Sequence, residues 1–467
     1  MNTPYPFRLS FFEKATHGKR IGHDQTFTNI SIDSRNINSE SLFVAIEGEI
    51  FDGHDFIWDV LQKGIKGIVV QKDHPILSKI QASNVSQLHV DDTVYALGEM
   101  AKAYKKCMNV NTVAVTGSAG KTSTRELIAL VLQEKFSVLT PQKNFNNEIG
   151  VPLTLFNLRT SHEWAVLELG MSAPDEIARL TDICQPDIGI ITNIGPAHLA
   201  GVGGTLDGVL SAKTELFSHM GENKTAIVNI DDERLLNYLP SLRQKKITCG
   251  LTPTADMTAK NIHIEKGKLI FEMVSQKFSA QIKMNTFNHC MIFNALAAGI
   301  VGVEAGMNPK EIKMGLESFS PIQGRMMPID TKKGILVIDD TYNANPSSMR
   351  AALDSLKDLP HLRKIAVLGD MGELGDESKN LHRDIGKKVA QLKIDRLYII
   401  GEFAQDVMAG AIKEVFLEKD IRIGNYDDII SDLITYAKNN DAVLVKGSRF
   451  MQMEKIVLPL VEWANRK

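Results

Sequence analysis

Apolar and polar positions along this chain change period repeatedly. Short, mostly β-branched runs, suited to buried strands, alternate with stretches whose apolar residues recur every three to four positions, the spacing of one helix face. Over most of the length this alternation predicts α/β layers built on parallel sheets. Strands are expected at 41–46 and 67–71, and 91–108 reads as a helix closing a first region, with Leu97, Met100, Ala101 and Tyr104 on one face. A second region opens with a strand at 112–116, a glycine-rich turn and a helix from Lys121, with further strands at 165–169, 188–193 and 225–229. A third starts near Pro321 and carries strands at 335–339, 364–369, 396–400 and 442–446. These runs end in glycine or polar residues, and open α/β sheets gather their ligands at the carboxyl ends of strands. No internal repeat or low-complexity stretch interrupts the pattern.

Length adds that 467 residues exceed one hydrophobic core, so two to four domains are expected. A net charge of -3 offers no basic surplus, and nucleic acid is not an expected partner. Arg8, Glu13 and Lys14 break up the apolar residues of the first twenty positions, which predicts no secretory leader. There is no apolar run of about 18 residues to span a bilayer, so a cytoplasmic protein with no membrane partner is expected. Cys107, Cys184, Cys249 and Cys290 are scattered, without a C-x-x-C pair. They read as reduced core thiols rather than a disulfide framework or a structural zinc site.

The first candidate chemistry is the segment Thr116-Gly117-Ser118-Ala119-Gly120-Lys121-Thr122-Ser123 between a strand and a helix. Glycines let backbone N–H groups curl round phosphate oxygens, and the helix N-terminus adds a positive dipole. Lys121 would neutralise the outer phosphates and the Thr122 hydroxyl would reach a magnesium ion. The spacing is not that of the common phosphate loop, which has glycine where Val115 stands, and a plain glycine turn capping a strand remains open. Glu168, at the end of the next strand, suits a hard cation or, equally, solvated surface. His198 follows Asn193-Ile194-Gly195-Pro196-Ala197 at the same sheet edge, as a ligand or a simple loop histidine. Lys213 and Glu215 lie on a helix-like stretch, 206–217, where local rules assign them to a solvated face.

Taken together and in order, these motifs resemble the Mur ligase family. The resemblance begins with Asp33-Ser34-Arg35, Leu42-Phe43-Val44-Ala45 and Gly48-Glu49-Ile50-Phe51-Asp52-Gly53-His54. After the phosphate loop come Asn144-Phe145-Asn146-Asn147-Glu148-Ile149-Gly150-Val151-Pro152, Glu168-Leu169-Gly170-Met171 and Thr192-Asn193-Ile194-Gly195-Pro196-Ala197-His198. Gly324-Arg325, Asp339-Asp340-Thr341-Tyr342-Asn343-Ala344-Asn345-Pro346, Leu368-Gly369-Asp370-Met371-Gly372-Glu373-Leu374-Gly375 and Lys446-Gly447-Ser448-Arg449 complete it.

The resemblance implies three α/β domains: 1–109 for the UDP-linked substrate, a central P-loop-type mononucleotide-binding parallel sheet at 110–320, and a Rossmann-like C-terminal ligase domain at 321–467. It implies ATP-dependent joining of D-alanyl-D-alanine to UDP-N-acetylmuramoyl-tripeptide in peptidoglycan synthesis, through an acyl phosphate, by a monomer. Gly117 to Ser123 would bind ATP, with Arg325 at its terminal phosphate, Asp340 at the nucleoside end and Asn294 beside the adenine. Two magnesium ions would be held by Thr122, Glu168, His198 and Lys213, the last as a carbamate formed with carbon dioxide. Lys121, Lys213, His198 and Arg325 would carry catalysis. Ser34 and Arg35 would hold the UDP part, and Asn146 and Asn147 the muramoyl peptide, unless these asparagines serve as turn and cap residues.

Two departures stand out. The family's glycine and histidine–asparagine ahead of the adenine-side asparagine are altered in Asn288-His289-Cys290-Met291-Ile292-Phe293-Asn294, and bulky Phe450 and Met451 follow Arg449. A relative that adds the third amino acid, a folate polyglutamate ligase and a non-catalytic nucleotide-binding regulator remain as alternatives.

Overall fold

The computed structural model describes residues 7–48, 50–80, 84–142, 144–276 and 278–466. Glu49 of the Gly48-to-His54 motif and the first six residues of the N-terminal stretch lie outside them. Among the described residues, strands form a two-stranded ribbon and three larger sheets, each larger sheet drawn from one stretch of chain.

The N-terminal sheet runs in the order Lys19–Ile21, Ser86–Val90, Gly67–Gln71, Ser41–Val44, Asn29–Ser31, parallel except for its first pair. The closing helix, Thr93–Lys106, starts where the Asp92 carboxylate accepts the N–H groups of Val94 and Tyr95 at 2.7 and 2.9 Å. Lys105 and Lys106 complement its dipole at the other end.

Beside this sheet, His54 is wholly buried and stacks on His74 with ring centroids 4.1 Å apart. His54 Nε2 accepts the Gln71 N–H at 3.1 Å, so its proton sits on Nδ1, 2.7 Å from Asp52 Oδ1. His74 Nδ1 accepts the Ile76 N–H at 3.2 Å, which puts its proton on Nε2, 3.2 Å from Asp52 Oδ2. Every ring nitrogen is engaged, so this Asp–His–His group is a structural tie and not a vacant metal site. Asp52→Ala strands a buried N–H, and denaturant unfolding is expected to show a loss of about 1–3 kcal/mol, with nucleotide affinity unchanged.

The central sheet has nine strands in the order Phe278–Met284, Lys268–Ser275, Met257–Glu265, Lys245–Cys249, Thr225–Asn229, Ile188–Ile191, Asn111–Thr116, Trp164–Glu168, Val138–Leu139. From Met257–Glu265 onward all neighbours are parallel; the first three strands form an antiparallel ribbon. The sequence pattern predicts no strand between 229 and 321, and this ribbon and the strand Lys245–Cys249 correct it. The ribbon's signal is a period of two in the outermost strand, where Ile282 and Met284 are buried and Gln281 and Lys283 exposed, which a search for parallel, doubly buried runs passes over. The helix Pro309–Glu317 packs against the outermost strand, and Glu317 Oε1 accepts the Lys283 N–H at 2.9 Å. The helix Lys121–Gln133 buries Leu127, Ile128, Val131 and Leu132, packing on the apolar helix Met291–Glu304.

The C-terminal sheet runs Met327–Asp330, Leu336–Asp340, Asp441–Lys446, Arg363–Gly369, Arg396–Ile400, Ile421–Ile423, parallel after the first antiparallel pair. All four thiols are free, but only Cys184 and Cys249 are core residues, and burial pushes both thiols up to about 12. Cys107 and Cys290 are exposed because each flanks a helix end rather than an apolar face. Among the described residues, no helix is long and apolar enough to cross a membrane.

Candidate functional site

The strand Asn111–Thr116 lies between Ile188–Ile191 and Trp164–Glu168, with successive strands on opposite sides of it. The loop leaving its carboxyl end therefore opens at a topological switch point, where α/β sheets bind ligands. Gly117, at φ +141°, passes so close to the neighbouring loop that a Cβ would lie 1.9 Å from Thr192 Oγ1. Gly120, at φ +82°, turns the chain into the helix Lys121–Gln133. Between them the loop is braced from the side. Ser118 N–H donates to Asn193 O at 3.0 Å and Ala119 N–H to Asn193 Oδ1 at 3.0 Å. Ser118 Oγ donates to Gly195 O at 2.9 Å, and Ala119 O accepts from Thr192 Oγ1 at 2.6 Å. The first turn of the following helix keeps N–H groups with no intrahelical partner, which suits an anion.

Lys121 Nζ donates to Gly117 O at 2.7 Å, placing an ammonium at the mouth of this loop. Desolvation is the main cause that holds its pKa below the ordinary lysine value, against the pull of Glu168. Glu168 is 4% exposed and both its oxygens are aimed: Thr122 Oγ1 donates to Oε2 at 2.7 Å and Asn146 Nδ2 to Oε1 at 3.0 Å. Burial works to raise its pKa, but Lys121 and these two donors outweigh it and hold the carboxyl below its usual range.

Ser118 to Ser123 of the phosphate loop, Asn146, Asn147, Glu168, His198, Asn294, Arg325 and Asp340 line one cleft of about 940 Å³ between the central and C-terminal regions, while Gly117 and Lys213 are not among its lining residues. Arg325 stacks over Tyr342, 4.1 Å from the ring centroid, and its charge bears on both Lys121 and Glu168. The C-terminal region closes onto the loop through Asn345, whose Nδ2 donates to Ser118 O at 3.1 Å. It makes a second contact where the Glu373 carboxylate meets His198 Nδ1, and that contact holds the Glu373 carboxyl below its usual range.

Lys213 lies on the helix Leu206–His219 and is 1% exposed. It shares the buried stripe of Val209, Ala212 and Leu216, so the solvated-face assignment is corrected. The spacing 209, 212, 213, 216 was the available signal, since it puts a lysine where a helix shows apolar residues. Lys213 makes no ion pair among the described residues. Glu215, which favours its charge, already accepts the N–H groups of Asp175 and Ala178 at 2.9 and 3.0 Å. Desolvation above all, and then Lys121, depress its pKa well below the ordinary value.

Other expected residues sit less simply. Asn294 approaches the loop from beneath, close enough that a Cβ on Gly120 would lie 3.1 Å from its Oδ1. Asp340 lines the cleft, yet its oxygens are held by the Met326 N–H at 3.1 Å and by Lys446 Nζ at 2.6 Å. Asn147 Oδ1 accepts the Gly150 N–H at 2.9 Å, in the turn that leads into the short helix Gly150–Leu155. Ser34 and Arg35 lie outside the cleft, on the N-terminal region, where Arg35 is pinned by two bonds to Asp33 at 2.9 and 3.0 Å. Individual roles for Asn193, Asn345, Glu373 and Lys446 were not read from the sequence, because each acts on a residue far away in the chain.

A divalent cation fits this donor set. The Thr122 hydroxyl, the aimed and buried Glu168 carboxylate and the His198 imidazole share the cleft, and oxygen donors suit magnesium.

Three family models match in chain order: the Mur ligase family catalytic domain over 26–105, the Mur ligase middle domain over 115–302, and the Mur ligase glutamate ligase domain over 324–449. The chain is 36% identical to the UDP-N-acetylmuramoyl-tripeptide–D-alanyl-D-alanine ligase of Haemophilus influenzae, over 95% of either chain. It is 35% identical to the ligase of the same name from Escherichia coli, over 97% of this chain and 98% of that one. Among solved structures it resembles MurF from Acinetobacter baumannii, with a TM-score of 0.90 at 31% identity, covering 98% and 99%. It also resembles MurF from Thermotoga maritima in complex with ADP, with a TM-score of 0.84 at 28% identity, covering 93% and 97%.

Proposed function

The chain belongs to the Mur ligase family, and from that membership we infer that it is an ATP-dependent ligase joining D-alanyl-D-alanine to UDP-N-acetylmuramoyl-tripeptide. The observation that carries the reading is the cleft in which Lys121, Glu168, His198 and Arg325 face a braced phosphate loop. The 1–109, 110–320 and 321–467 divisions follow from it, as holders of the UDP end, of ATP and of the closing ligase part. A reducing cytoplasm suits four free thiols, and a single chain supplies every residue named, so a monomer suffices.

The tripeptide carboxylate attacks the γ-phosphorus of ATP; the new O–P bond replaces the bridge to the β-phosphate, and ADP leaves. The amine of D-alanyl-D-alanine then attacks the acyl carbon, loses a proton, and expels inorganic phosphate. Phosphoryl transfer of this kind depends on positioning and charge neutralisation, with no protein nucleophile. Backbone N–H groups of the loop cradle the phosphates, Lys121 and Arg325 offset charge on the transferring group, and Asn294 lies on the adenine side. Thr122, Glu168, His198 and Lys213 as its carbamate would hold two magnesium ions, which supply further charge neutralisation and alignment. Asn146 aims Glu168 from the peptide side, where Asn147 lies as well, and Asp340 with Lys446 forms the nucleoside wall.

The test is phosphate release from ATP with UDP-muramoyl tripeptide, with and without D-alanyl-D-alanine. Release that needs both, with the matching mass gain on the UDP product, is expected. Release only with a UDP-muramoyl dipeptide and a diamino acid would place the chain one step earlier, and nucleotide binding without release from any pair would make it a regulator. In the same assay, Arg35→Ala is expected to raise KM for the UDP substrate about tenfold with kcat little changed, the mark of uniform binding. An unchanged KM would remove Arg35 from substrate binding.

A further inference from the structure

Glu373 takes no part in the ligation just described, yet it is where the C-terminal region reaches His198. It follows the strand Arg363–Gly369 and holds a left-handed backbone, φ +60°, which residues with a Cβ adopt under constraint. Two contacts use that conformation. The Glu373 carbonyl accepts the Ala200 N–H at 3.3 Å, and the carboxylate meets His198 Nδ1. His198 is also left-handed, φ +57°, immediately ahead of the 3-10 turn Leu199–Val202. Its Nδ1 is closed off from solvent, in ion-pair contact with Glu373 but without an aligned hydrogen bond, which leaves Nε2 as the nitrogen free to serve the cleft that His198 lines.

We propose that Glu373 is a positioning residue: delivered by the C-terminal region, its carboxylate fixes the His198 ring with Nε2 toward the phosphate-loop cleft, and so couples closure to cation binding. The proposal rests on reading His198 as a cation ligand. A carboxylate that accepts the Nδ1 proton sets the tautomer and holds the ring plane. Withdrawal of the C-terminal region removes that partner and lets the ring turn. By linkage, a cation on Nε2 polarises the Nδ1–H bond and favours the docked arrangement by the same factor. The carboxylate thus works at the joint between two regions, and neither region alone contains the complete pair.

The experiment is Mn²⁺ binding to the full-length chain saturated with ADP, read from the electron paramagnetic resonance of free Mn²⁺, with small-angle X-ray scattering of the same samples. Thermal melting of each variant confirms folding first, and Glu373 is exposed enough for its loss to leave the fold intact. Glu373→Ala is expected to weaken Mn²⁺ binding about tenfold to a hundredfold, the usual effect of removing an outer partner of a metal-bound histidine. It should also leave the molecule more extended with ADP and Mn²⁺ present. Glu373→Gln is expected to stay within about threefold of the parent, because its amide oxygen still accepts the Nδ1 proton. In a His198→Ala background, Glu373→Ala should add nothing. Normal Mn²⁺ binding by Glu373→Ala beside weak binding by His198→Ala would overturn the coupling and leave the His198 reading standing. Normal binding by His198→Ala would overturn the His198 reading, and the proposal with it. A glutamine variant as weak as the alanine variant would overturn the positioning role in favour of direct ligation by Glu373.

Discussion

Lys121→Ala is expected to lower turnover about a hundredfold or more while the protein stays folded. Lys121 projects from the start of a helix whose Gly120 turn and Asn193 brace are built from other residues, so the loop keeps its shape without it. What disappears is the ammonium next to Gly117 O and Glu168. A donor aimed at charge that develops in the transition state is worth roughly 3–4 kcal/mol, and each 1.36 kcal/mol is about a factor of ten in rate. Steady-state phosphate release, with a thermal melt to confirm folding, decides it. Near-normal turnover would remove Lys121 from the chemistry and with it the phosphate-loop assignment.

Lys213→Met is expected to be as severe for turnover, at least about a hundredfold, since the loss of a cation ligand forfeits several kcal/mol of charge stabilisation. Its effect on stability runs the other way. Lys213 has a folded pKa well below the ordinary 10.5, with desolvation the largest cause. The unfolded chain therefore binds more protons between those two values, and stability rises with pH across that window. In carbon dioxide-free buffer at neutral pH the methionine variant should melt a few degrees higher than the parent, and the gap should close as pH approaches 10.5. The same depression raises the share of neutral amine, the form that adds carbon dioxide to become a carbamate. Parent turnover should fall when bicarbonate is stripped and recover when it is restored. Full turnover in Lys213→Met would sink the carbamate.

The two lysines also show why parts of the site were legible and parts were not. Lys121 stands in a local pattern of strand, glycines and helix, and local patterns survive translation into one dimension. Lys213 carries no such pattern; its position on an apolar stripe is visible in the spacing, but only tertiary packing shows that the stripe is sealed. Asp340 was expected at the nucleoside end, and nothing near it in sequence announces Lys446, which takes one of its oxygens. Glu373 lies within a motif that announces no role for it, because its partner His198 belongs to another region. Strand positions are legible for much of the parallel core, whose doubly buried strands leave continuous apolar runs, while their order in the sheet is not. The ribbon 257–284 escaped because one of its faces is wet.

That ribbon leaves the largest sheet of the molecule with an open side. At the far edge the strand Val138–Leu139 has two residues, too short to template a neighbour. The near edge, Phe278–Met284, has seven, enough backbone to recruit a strand from another chain. The helix Pro309–Glu317 lies against it, and the Glu317 carboxylate occupies the Lys283 N–H that a foreign strand would seek. This helix is therefore a guard against self-association as well as a packing element. A chain truncated before residue 309, or caught during synthesis before that helix forms, exposes a ready site for aggregation, so soluble yield is set by a segment remote from the chemistry.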